Sequence, residues 1–224
     1  MLVILDLDNT LYDGKGFARR LVMRDLRHAL WALAERKARK AIAGQDFGNK
    51  VALRSEFFKL MSKRTGKSVD VMEDWYLNTY MPNMVEVLRR HYKARPGAVE
   101  MIEELRRQGA KVVVLSDYPC TTQRLIAIGL GSLELMSWST EELGVLKPSK
   151  EAFIAIADKV GEKVEDCVVV GDRADTDAAG AVRAGMRCVM IKNKKSANVY
   201  GFKELEWEDL KKELVEMAKE ASRQ

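Results

Sequence analysis

The stretch MLVILDLDNTLYD, residues 1–13, decides the fold of this chain. Its apolar run, Leu2 to Leu5, lacks polar alternation, which is typical of a strand covered on both faces of a parallel sheet. The run ends in Asp6 and Asp8, whose spacing lets both side chains face the same way from an extended chain. Ligands of parallel α/β sheets bind at the carboxyl ends of strands. The stretch therefore suits a nucleophile and a divalent cation, although a lone DxD more often begins a polar turn.

The composition is that of an ordinary globular protein. The chain has 224 residues, of which 47% are hydrophobic and 32% are charged. No apolar run approaches the roughly 20 residues that a membrane span requires, and the first run is too short for a signal peptide. We therefore expect a cytoplasmic protein without a membrane partner. The three cysteines have no metal-ligand spacing, so we expect free, buried thiols at Cys120, Cys167 and Cys188.

The net charge of +5 is unevenly distributed. Residues 15–43 contain nine Lys or Arg against two acidic residues, a net charge of +7. Such a run is usually a solvated helix face. Its arginines could instead bind a second anionic group of a substrate. No recognition motif or aromatic interleaving accompanies the charge, so the sequence argues against a nucleic-acid partner.

Residues 15–93 show only helical periodicity. Gly44 is placed to end a first long helix, and Pro82 fits the first turn of a fourth. Asp70 followed by Glu73 resembles a capping box for the third. These signals predict four helices, at about 17–42, 51–64, 71–80 and 83–92.

From Arg95 onward the pattern changes to alternating strands and helices. Strands are predicted at 111–115, 133–137, 167–170 and 188–191, and helices at 98–108, 121–128, 149–160, 176–184 and 205–221. Such alternation implies a parallel sheet with right-handed crossovers. We therefore predict an α/β protein with a Rossmann-like core, residues 1–13 and 95–224, and an inserted all-helical cap domain, residues 14–94.

Polar side chains follow four of the predicted strands, and strands of one parallel sheet share their carboxyl edge. The collection fits the chemistry of a phosphate ester. One carboxylate can take the phosphoryl group while its neighbour moves protons. A hydroxyl and a lysine can bind the phosphoryl oxygens, and further carboxylates can hold a hard cation. The residues are Asp6, Asp8, Ser116, Asp117, Lys147, Asp172, Asp175 and Asp177.

Four segments resemble, in the right order, the motifs of the haloacid dehalogenase (HAD) superfamily. They are DLDNTL at 6–11, VVVLSD at 112–117, LKPS at 146–149 and VVGDRADTD at 169–177. The helical insertion between the first two resembles the branch of that superfamily with a cap after the first motif. The resemblance covers nearly the whole chain, and the cap only by its position and helical pattern.

The resemblance implies catalytic and metal-binding roles. Asp6 would be the nucleophile that forms an aspartyl-phosphate, and Asp8 the general acid and base. Mg²⁺ would be held by the Asp6 carboxylate, the backbone carbonyl of Asp8 and Asp172. Asp177 would contribute as a ligand, through a metal-bound water, or through the motif lysine.

The same resemblance implies a phosphate-binding set. Ser116 and Lys147 would bind the phosphoryl group. Asp117 follows in the same motif as Ser116 and is assigned to the same subsite. Thr10 would support the loop of the first motif beside the phosphate.

Asp8 favours phosphoryl transfer over carbon–halogen cleavage, because dehalogenases of this superfamily lack the second aspartate. The resemblance thus implies a Mg²⁺-dependent phosphatase for a small phosphorylated metabolite, with a cap that excludes water and selects the leaving group. A phosphomutase of the same superfamily remains open. So does a phospho-accepting, receiver-like signalling module, although receivers are about half this length and carry the acceptor on a middle strand.

Overall fold

The computed structural model describes residues 1–192 and 200–223. Six parallel strands form one sheet in the order β3-β2-β1-β4-β5-β6. This arrangement confirms the α/β prediction and places the first strand between the second and the fourth. The residues that follow the first strand therefore lie at the middle of the carboxyl edge. The strands are β1 (Leu2–Leu5), β2 (Lys111–Ser116), β3 (Met136–Ser139), β4 (Cys167–Gly171), β5 (Arg187–Ile191) and β6 (Lys203–Leu205).

A helical insertion separates β1 from β2. Its helices are α1 (Phe17–Arg24), α2 (Ala29–Ile42), α3 (Lys50–Thr65), α4 (Val69–Trp75) and α5 (Met81–His91). The prediction of one helix over 17–42 is wrong, because Asp25 leaves the helical conformation with φ −140°. The Asp25 carboxylate lies 2.8 Å from the His28 ring and accepts a hydrogen bond from Trp75 Nε1 at 3.3 Å. These contacts hold the chain in a short 3₁₀ turn between α1 and α2.

The predicted capping box is also wrong. Ser68 caps α4, and its hydroxyl accepts a hydrogen bond from the Val71 amide at 3.4 Å. A π turn, Tyr76–Tyr80, joins α4 to α5 without a break, where the sequence predicts two separate helices. Pro82 lies directly after this turn. Because the regular i→i−4 ladder is already interrupted there, the missing N–H of Pro82 is accommodated.

The remaining helices lie in the core and are close to prediction. Strand β3 lies about two residues later than predicted, and the helix predicted at 176–184 begins with a π turn, Ala174–Ala178. The one-turn helix 140–143 and strand β6 were not predicted, because segments of three or four residues carry no periodic signal. The core helices are α6 (Ala98–Arg107), α7 (Thr121–Ala127), α8 (Thr140–Leu143), α9 (Lys150–Val160), α10 (Ala179–Ala184) and α11 (Trp207–Ala221).

Both faces of the sheet are buried, as the unbroken apolar run of β1 predicts. Leu2 and Ile4 pack in one cluster with α9 and α10. Val3 and Leu5 pack in a second cluster, which includes α6 and α11 and continues into the helical insertion. The insertion and the core therefore share one apolar interior.

Main-chain contacts also join the insertion to the core. Asp46 and Val145 form an antiparallel bridge, and the Phe47 amide donates to the Gly144 carbonyl at 2.9 Å. Gly144 has φ +78°, and a Cβ atom there would lie 2.3 Å from the carbonyl carbon of Asn49. Only glycine fits this close approach. The segment before Lys147 is thus pressed directly against the insertion.

All three cysteines are free, as predicted, although Cys120 is only partly buried. Within residues 1–192 and 200–223, no helix combines the length and hydropathy needed to cross a membrane.

Candidate active site

Asp6 lies at the centre of the carboxyl edge and is 8% exposed. Its amide donates to the Val170 carbonyl at 2.8 Å, which extends the pairing of β1 with β4 by one residue. Its Oδ2 accepts from the Thr10 hydroxyl at 2.9 Å, and its Oδ1 accepts from Lys147 Nζ at 2.7 Å. Thr10 and Lys147, which are far apart in the sequence, therefore both donate to the Asp6 carboxylate.

Lys147 connects Asp6 to the acidic loop that follows β4. Its Nζ also donates to Asp177 Oδ1 at 2.8 Å, and the lysine is 3% exposed. Burial lowers the pKa of Lys147, but the carboxylates of Asp177 and Asp6 outweigh burial and raise it. The ammonium group is therefore charged at any physiological pH.

Asp6, Asp172 and Asp177 form a buried acidic cluster. Each offers a carboxylate oxygen, and these oxygens lie within 4.8 Å of one another. Burial raises the pKa of Asp6 well above its usual value, with further raising by Asp177 and Asp172. Burial and then Asp177 raise the pKa of Asp172 to about 7. The three crowded carboxylates supply the oxygen ligands that a hard divalent cation prefers.

The Asp8 carboxylate makes a different set of contacts. It forms an ion pair with Arg124 Nη2 and accepts from the Tyr12 hydroxyl at 2.6 Å. It also accepts from the Ser116 hydroxyl at 3.2 Å. Burial raises the pKa of Asp8, but Arg124 outweighs burial and lowers it. Arg124 therefore favours the ionised form of Asp8, whereas burial raises the pKa of Asp6 and of Asp172.

Arg124 is a site residue that sequence reasoning missed. It is fully buried in α7, and its Nη1 donates to the Ser116 hydroxyl at 2.9 Å and to the Tyr118 carbonyl at 3.3 Å. A signal was present, because Arg124 falls within the apolar stripe of its helix, beside Leu125 and before Ile128. An arginine in such a stripe requires a buried partner.

Asp117 faces the loop that carries Lys147. Its Oδ1 accepts from the Thr140 hydroxyl at 2.7 Å and from the Lys147 amide at 3.1 Å. These contacts fix the main chain at Lys147. A phosphate contact from Asp117 would have to come from its main chain, because a carboxylate repels a phosphate.

The loop of the first motif is held by Arg95, a second residue that the sequence did not reveal. Its Nε donates to the Thr10 carbonyl at 2.9 Å, and its Nη2 donates to the Asn9 carbonyl at 2.8 Å. Asn9 has φ +61°, in the left-handed region that Asn tolerates better than most residues. The chain that returns from the helical insertion thus supports the loop between Asp8 and Thr10.

A cavity of about 350 Å³ lies over these groups, between the core and the helical insertion. Its core wall includes Asp6, Asp8, Lys147, Asp172 and Asp177. Its opposite wall is mostly apolar and consists of residues from α1, α2 and the segment around α5. Those residues are Gly14, Phe17, Ala18, Leu21, Val22, Ala29, Ala32, Leu33, Arg36, Tyr80 and Met84.

A buried ionic network joins the insertion to the core beside this cavity. Glu141, from α8 of the core, accepts from Arg54 Nε at 2.8 Å, from the Tyr76 hydroxyl at 2.7 Å and from Arg39 Nη2 at 3.2 Å. Arg39 also donates to Glu35 at 2.7 Å and to the Asp117 carbonyl at 3.0 Å. We call Glu35, Arg39, Arg54, Tyr76 and Glu141 the interdomain network.

The network corrects one expectation for the basic stretch. Arg39 is 8% exposed and Glu35 is fully buried, so this part of residues 15–43 is not a solvated helix face. Most of the other basic residues of the stretch are exposed, as the charge run predicts.

Comparisons with known proteins agree with this geometry. The sequence model of the haloacid dehalogenase-like hydrolase family matches residues 1–185. A glyceraldehyde 3-phosphate phosphatase of Methanopyrus kandleri is 36% identical over 107 residues, and the match spans about half of each chain, 47% of this one and 46% of that one. A ribulose-1,5-bisphosphate 5-phosphatase of Halopiger xanaduensis is 27% identical over 84% of this chain and 83% of that one.

The fold has solved counterparts. The HAD-hydrolase YfnB of Bacillus subtilis, in a crystal structure bound to magnesium, superposes with a TM-score of 0.67 at 18% identity, covering 95% of this chain and 97% of that one. At that identity the likeness concerns the fold alone. The family match, in contrast, covers all four motifs and the acidic cluster that they bring together. The chain therefore belongs to the haloacid dehalogenase-like hydrolases.

Proposed function

We propose that this hydrolase is a Mg²⁺-dependent phosphatase that acts on a small phosphorylated metabolite through an aspartyl-phosphate on Asp6. One observation carries the proposal. Asp6 shares one buried cluster with Asp172, Asp177 and Lys147, while Asp8, two residues away, has separate partners. The two aspartates of the first motif thus occupy different environments: burial raises the pKa of Asp6, and Lys147 opposes that effect in favour of the ionised form that attack requires.

The first half-reaction transfers the phosphoryl group to the protein. A carboxylate oxygen of Asp6 attacks phosphorus, the bond from phosphorus to the leaving oxygen breaks, and Asp8, when protonated, gives its proton to that oxygen. The Ser116 hydroxyl and the Lys147 ammonium donate hydrogen bonds to the phosphoryl oxygens.

The second half-reaction releases phosphate. A water molecule attacks the phosphorus of the aspartyl-phosphate, its proton passes to the ionised Asp8, and the bond to Asp6 breaks. Arg124 favours the ionised form of Asp8 that this step requires, because it lowers the pKa of Asp8. Arg124 also donates to Ser116, so it positions both groups.

The metal site of the proposal consists of Asp6, Asp172 and Asp177, together with the backbone carbonyl of Asp8. The crowded, buried carboxylates fit a divalent cation. When bound, Mg²⁺ offsets the negative charge of the phosphate and of the attacking carboxylate. The HAD-hydrolase YfnB, which has a similar fold, is bound to magnesium in its crystal structure.

The names of the relatives support the phosphatase reaction and the size of its substrate. One relative acts on glyceraldehyde 3-phosphate and the other on ribulose 1,5-bisphosphate. Both names describe short phosphorylated sugars, and a cavity of about 350 Å³ accommodates a molecule of that class. We also propose that residues 14–94 act as a cap that excludes water from the site. The cytoplasmic location stays a prediction.

The nucleophile is tested by Asp6→Asn. The substitution should reduce release of inorganic phosphate from an aryl phosphate with Mg²⁺ by about 10³-fold or more, because an amide cannot form the acyl phosphate. Asp175→Asn is the matched control, since Asp175 is exposed and forms an ion pair with Arg173 outside the acidic cluster. Undiminished turnover by a folded Asp6→Asn protein would contradict the assignment.

A further inference from the structure

We propose that Arg36 binds an anionic group on the leaving group, so that the preferred substrates are phosphate esters with a short hydrocarbon body and a second anion. This inference rests on the proposed phosphatase function and specifies its substrate class. It also gives part of the basic stretch a task within the site.

One face of α2 forms the wall from which the inference starts. Ala29, Ala32, Leu33 and Arg36 follow the i, i+3, i+4, i+7 spacing of a single helix face, and all four line the cavity. The first three are small or apolar, so they leave room for a hydrocarbon body without offering it hydrogen bonds. Arg36 ends this face with a guanidinium group.

Arg36 is an exposed arginine that lines the cavity from the insertion, and among residues 1–192 and 200–223 its charge has no ion-pair partner. Tyr80 is the other polar side chain on that wall, and its hydroxyl donates a hydrogen bond to Glu35 at 3.3 Å. Among residues 1–192 and 200–223, no carboxylate lies within 4.0 Å of the Arg36 guanidinium. A cation on the wall of a small cavity without an ion-pair partner is suited to an anion of the ligand.

The other arginines near the cavity are already paired. Arg173, on the core wall, binds both carboxylate oxygens of Asp175, at 2.9 and 2.6 Å. Arg39, three residues after Arg36, has Glu35 and Glu141 as partners. The anion of a substrate would have to displace an existing ion pair at either of these residues, but not at Arg36.

Arg36 lines the cavity from the insertion, and Asp172 and Asp177 line it from the core. The two ends of the cavity therefore differ in charge. Carboxylates and Lys147 receive the phosphoryl group on the core side, and a guanidinium receives an anion on the insertion side.

The test uses three phosphate esters that share a three-carbon body: propane-1,3-diol monophosphate, 3-phosphooxypropanoate and propane-1,3-diol bisphosphate. Their far ends are a hydroxyl, a carboxylate and a phosphate. We expect the wild-type protein with Mg²⁺ to hydrolyse at least one of the two esters whose far end is anionic with a kcat/KM about 10- to 100-fold above that of the ester whose far end is a hydroxyl. The ratio between the two anionic esters identifies the anion.

Arg36→Gln should remove this preference through a higher KM for the anionic ester, because the contact is made equally in the ground state and the transition state. Lys37→Gln is the matched control, since Lys37 is an exposed cation on the same helix that does not line the cavity. It should retain the preference.

The outcomes separate the two proposals. Hydrolysis of all three esters with similar kcat/KM, or a preference that survives Arg36→Gln, would overturn the role of Arg36 and leave the phosphatase intact. A wild-type protein that releases phosphate from none of the three esters, nor from an aryl phosphate, would overturn the phosphatase and the inference with it.

Discussion

Asp172 shows how strongly a single residue depends on its surroundings. A solvated aspartate is ionised at neutral pH, yet burial and Asp177 raise the pKa of Asp172 from 3.8 to about 7. Burial also raises the pKa of Asp6. Part of the cluster is therefore protonated near neutral pH when no cation compensates the charge. Folding and metal binding become linked through these carboxyl groups.

This linkage predicts a pH dependence of metal stabilisation. A carboxyl group whose pKa is higher in the folded protein than in the unfolded protein contributes its full stabilisation at pH values below the unfolded-state pKa. For Asp172 this contribution is lost as the pH rises through about 7. Mg²⁺ binds the ionised form, so it should raise the melting temperature more at pH 8 than at pH 5.5. The measurement is thermal unfolding with Mg²⁺ and with EDTA at both values. Equal shifts at the two values would contradict the linkage.

A substitution in the cluster controls for nonspecific ion effects. Asp172→Asn removes one of the proposed metal-binding carboxylates and one titrating group. It should therefore reduce the difference between the melting temperatures with and without Mg²⁺ at pH 8. Asp175→Asn, on the exposed part of the same loop, should leave that difference unchanged.

The sequence predicts most of the site at the level of single residues. Asp6, Thr10, Lys147 and Asp177 directly follow strands or belong to recognisable motifs, and the structure brings them into mutual hydrogen bonds. Arg124 was missed because the apolar stripe of α7 shows only that this arginine requires a buried partner, whereas its partners Ser116 and Asp8 are brought to it by the tertiary fold.

At the scale of elements, the one-turn helix α8 depends on its neighbour. Its N-terminus is closed by a capping box between Ser139 and Glu142, and its C-terminus by Gly144 in the left-handed conformation. Gly144 also touches the backbone of Asn49 from the helical insertion. A helix of four residues has little stability of its own, so this contact contributes to its position.

Gly144→Ala should therefore destabilise the protein beyond the ordinary cost of a left-handed alanine. Gly161 is the matched control, because it ends α9 with φ +69° and, apart from its neighbours in the chain, no atom of the described residues lies within 4 Å of the position that a Cβ would take. We expect Gly161→Ala to cost about 1 kcal/mol and Gly144→Ala about 3 kcal/mol or more, measured as the free energy of unfolding in urea. Equal costs would show that the segment moves away from Asn49 without penalty.

The elements differ in how far the sequence determines them. The strands β1, β2 and β4 were predicted within one residue, because each is a continuous run of Val, Leu or Ile in a doubly covered sheet. The break between α1 and α2 was not predicted, since the apolar spacing continues through it. The contacts of Asp25 with His28 and Trp75 decide that break, and Trp75 is distant in sequence.

At the scale of the whole molecule, the interdomain network unites the helical insertion with the core. Glu141 is fully buried and accepts hydrogen bonds from three residues of the insertion. Buried ion pairs add little net stability when complete, but the loss of one partner leaves a charge in an apolar interior. Separation of the insertion from the core would leave these charges without partners, so the network mainly disfavours conformations in which the two are apart.

Glu141→Gln tests this property. It keeps the shape of the side chain but leaves Arg39 and Arg54 without the carboxylate of the core, so we expect a loss of about 3 kcal/mol in the free energy of unfolding. Glu216→Gln breaks an exposed pair with Lys219 and should change stability by less than about 0.5 kcal/mol. A loss for Glu141→Gln as small as that of the surface variant would contradict the importance of the network.

The contact between Gly144 and Asn49 has a consequence for how such proteins diversify. A recombination event that exchanged residues 14–94 for the corresponding segment of a relative would keep the partners of Glu141 only if that segment carried equivalents of Arg39, Arg54 and Tyr76. The incoming backbone would also have to match the narrow space over Gly144. Inheritance of a new specificity therefore requires that the segment from Thr140 to Lys147 travel with the insertion, as one unit of exchange.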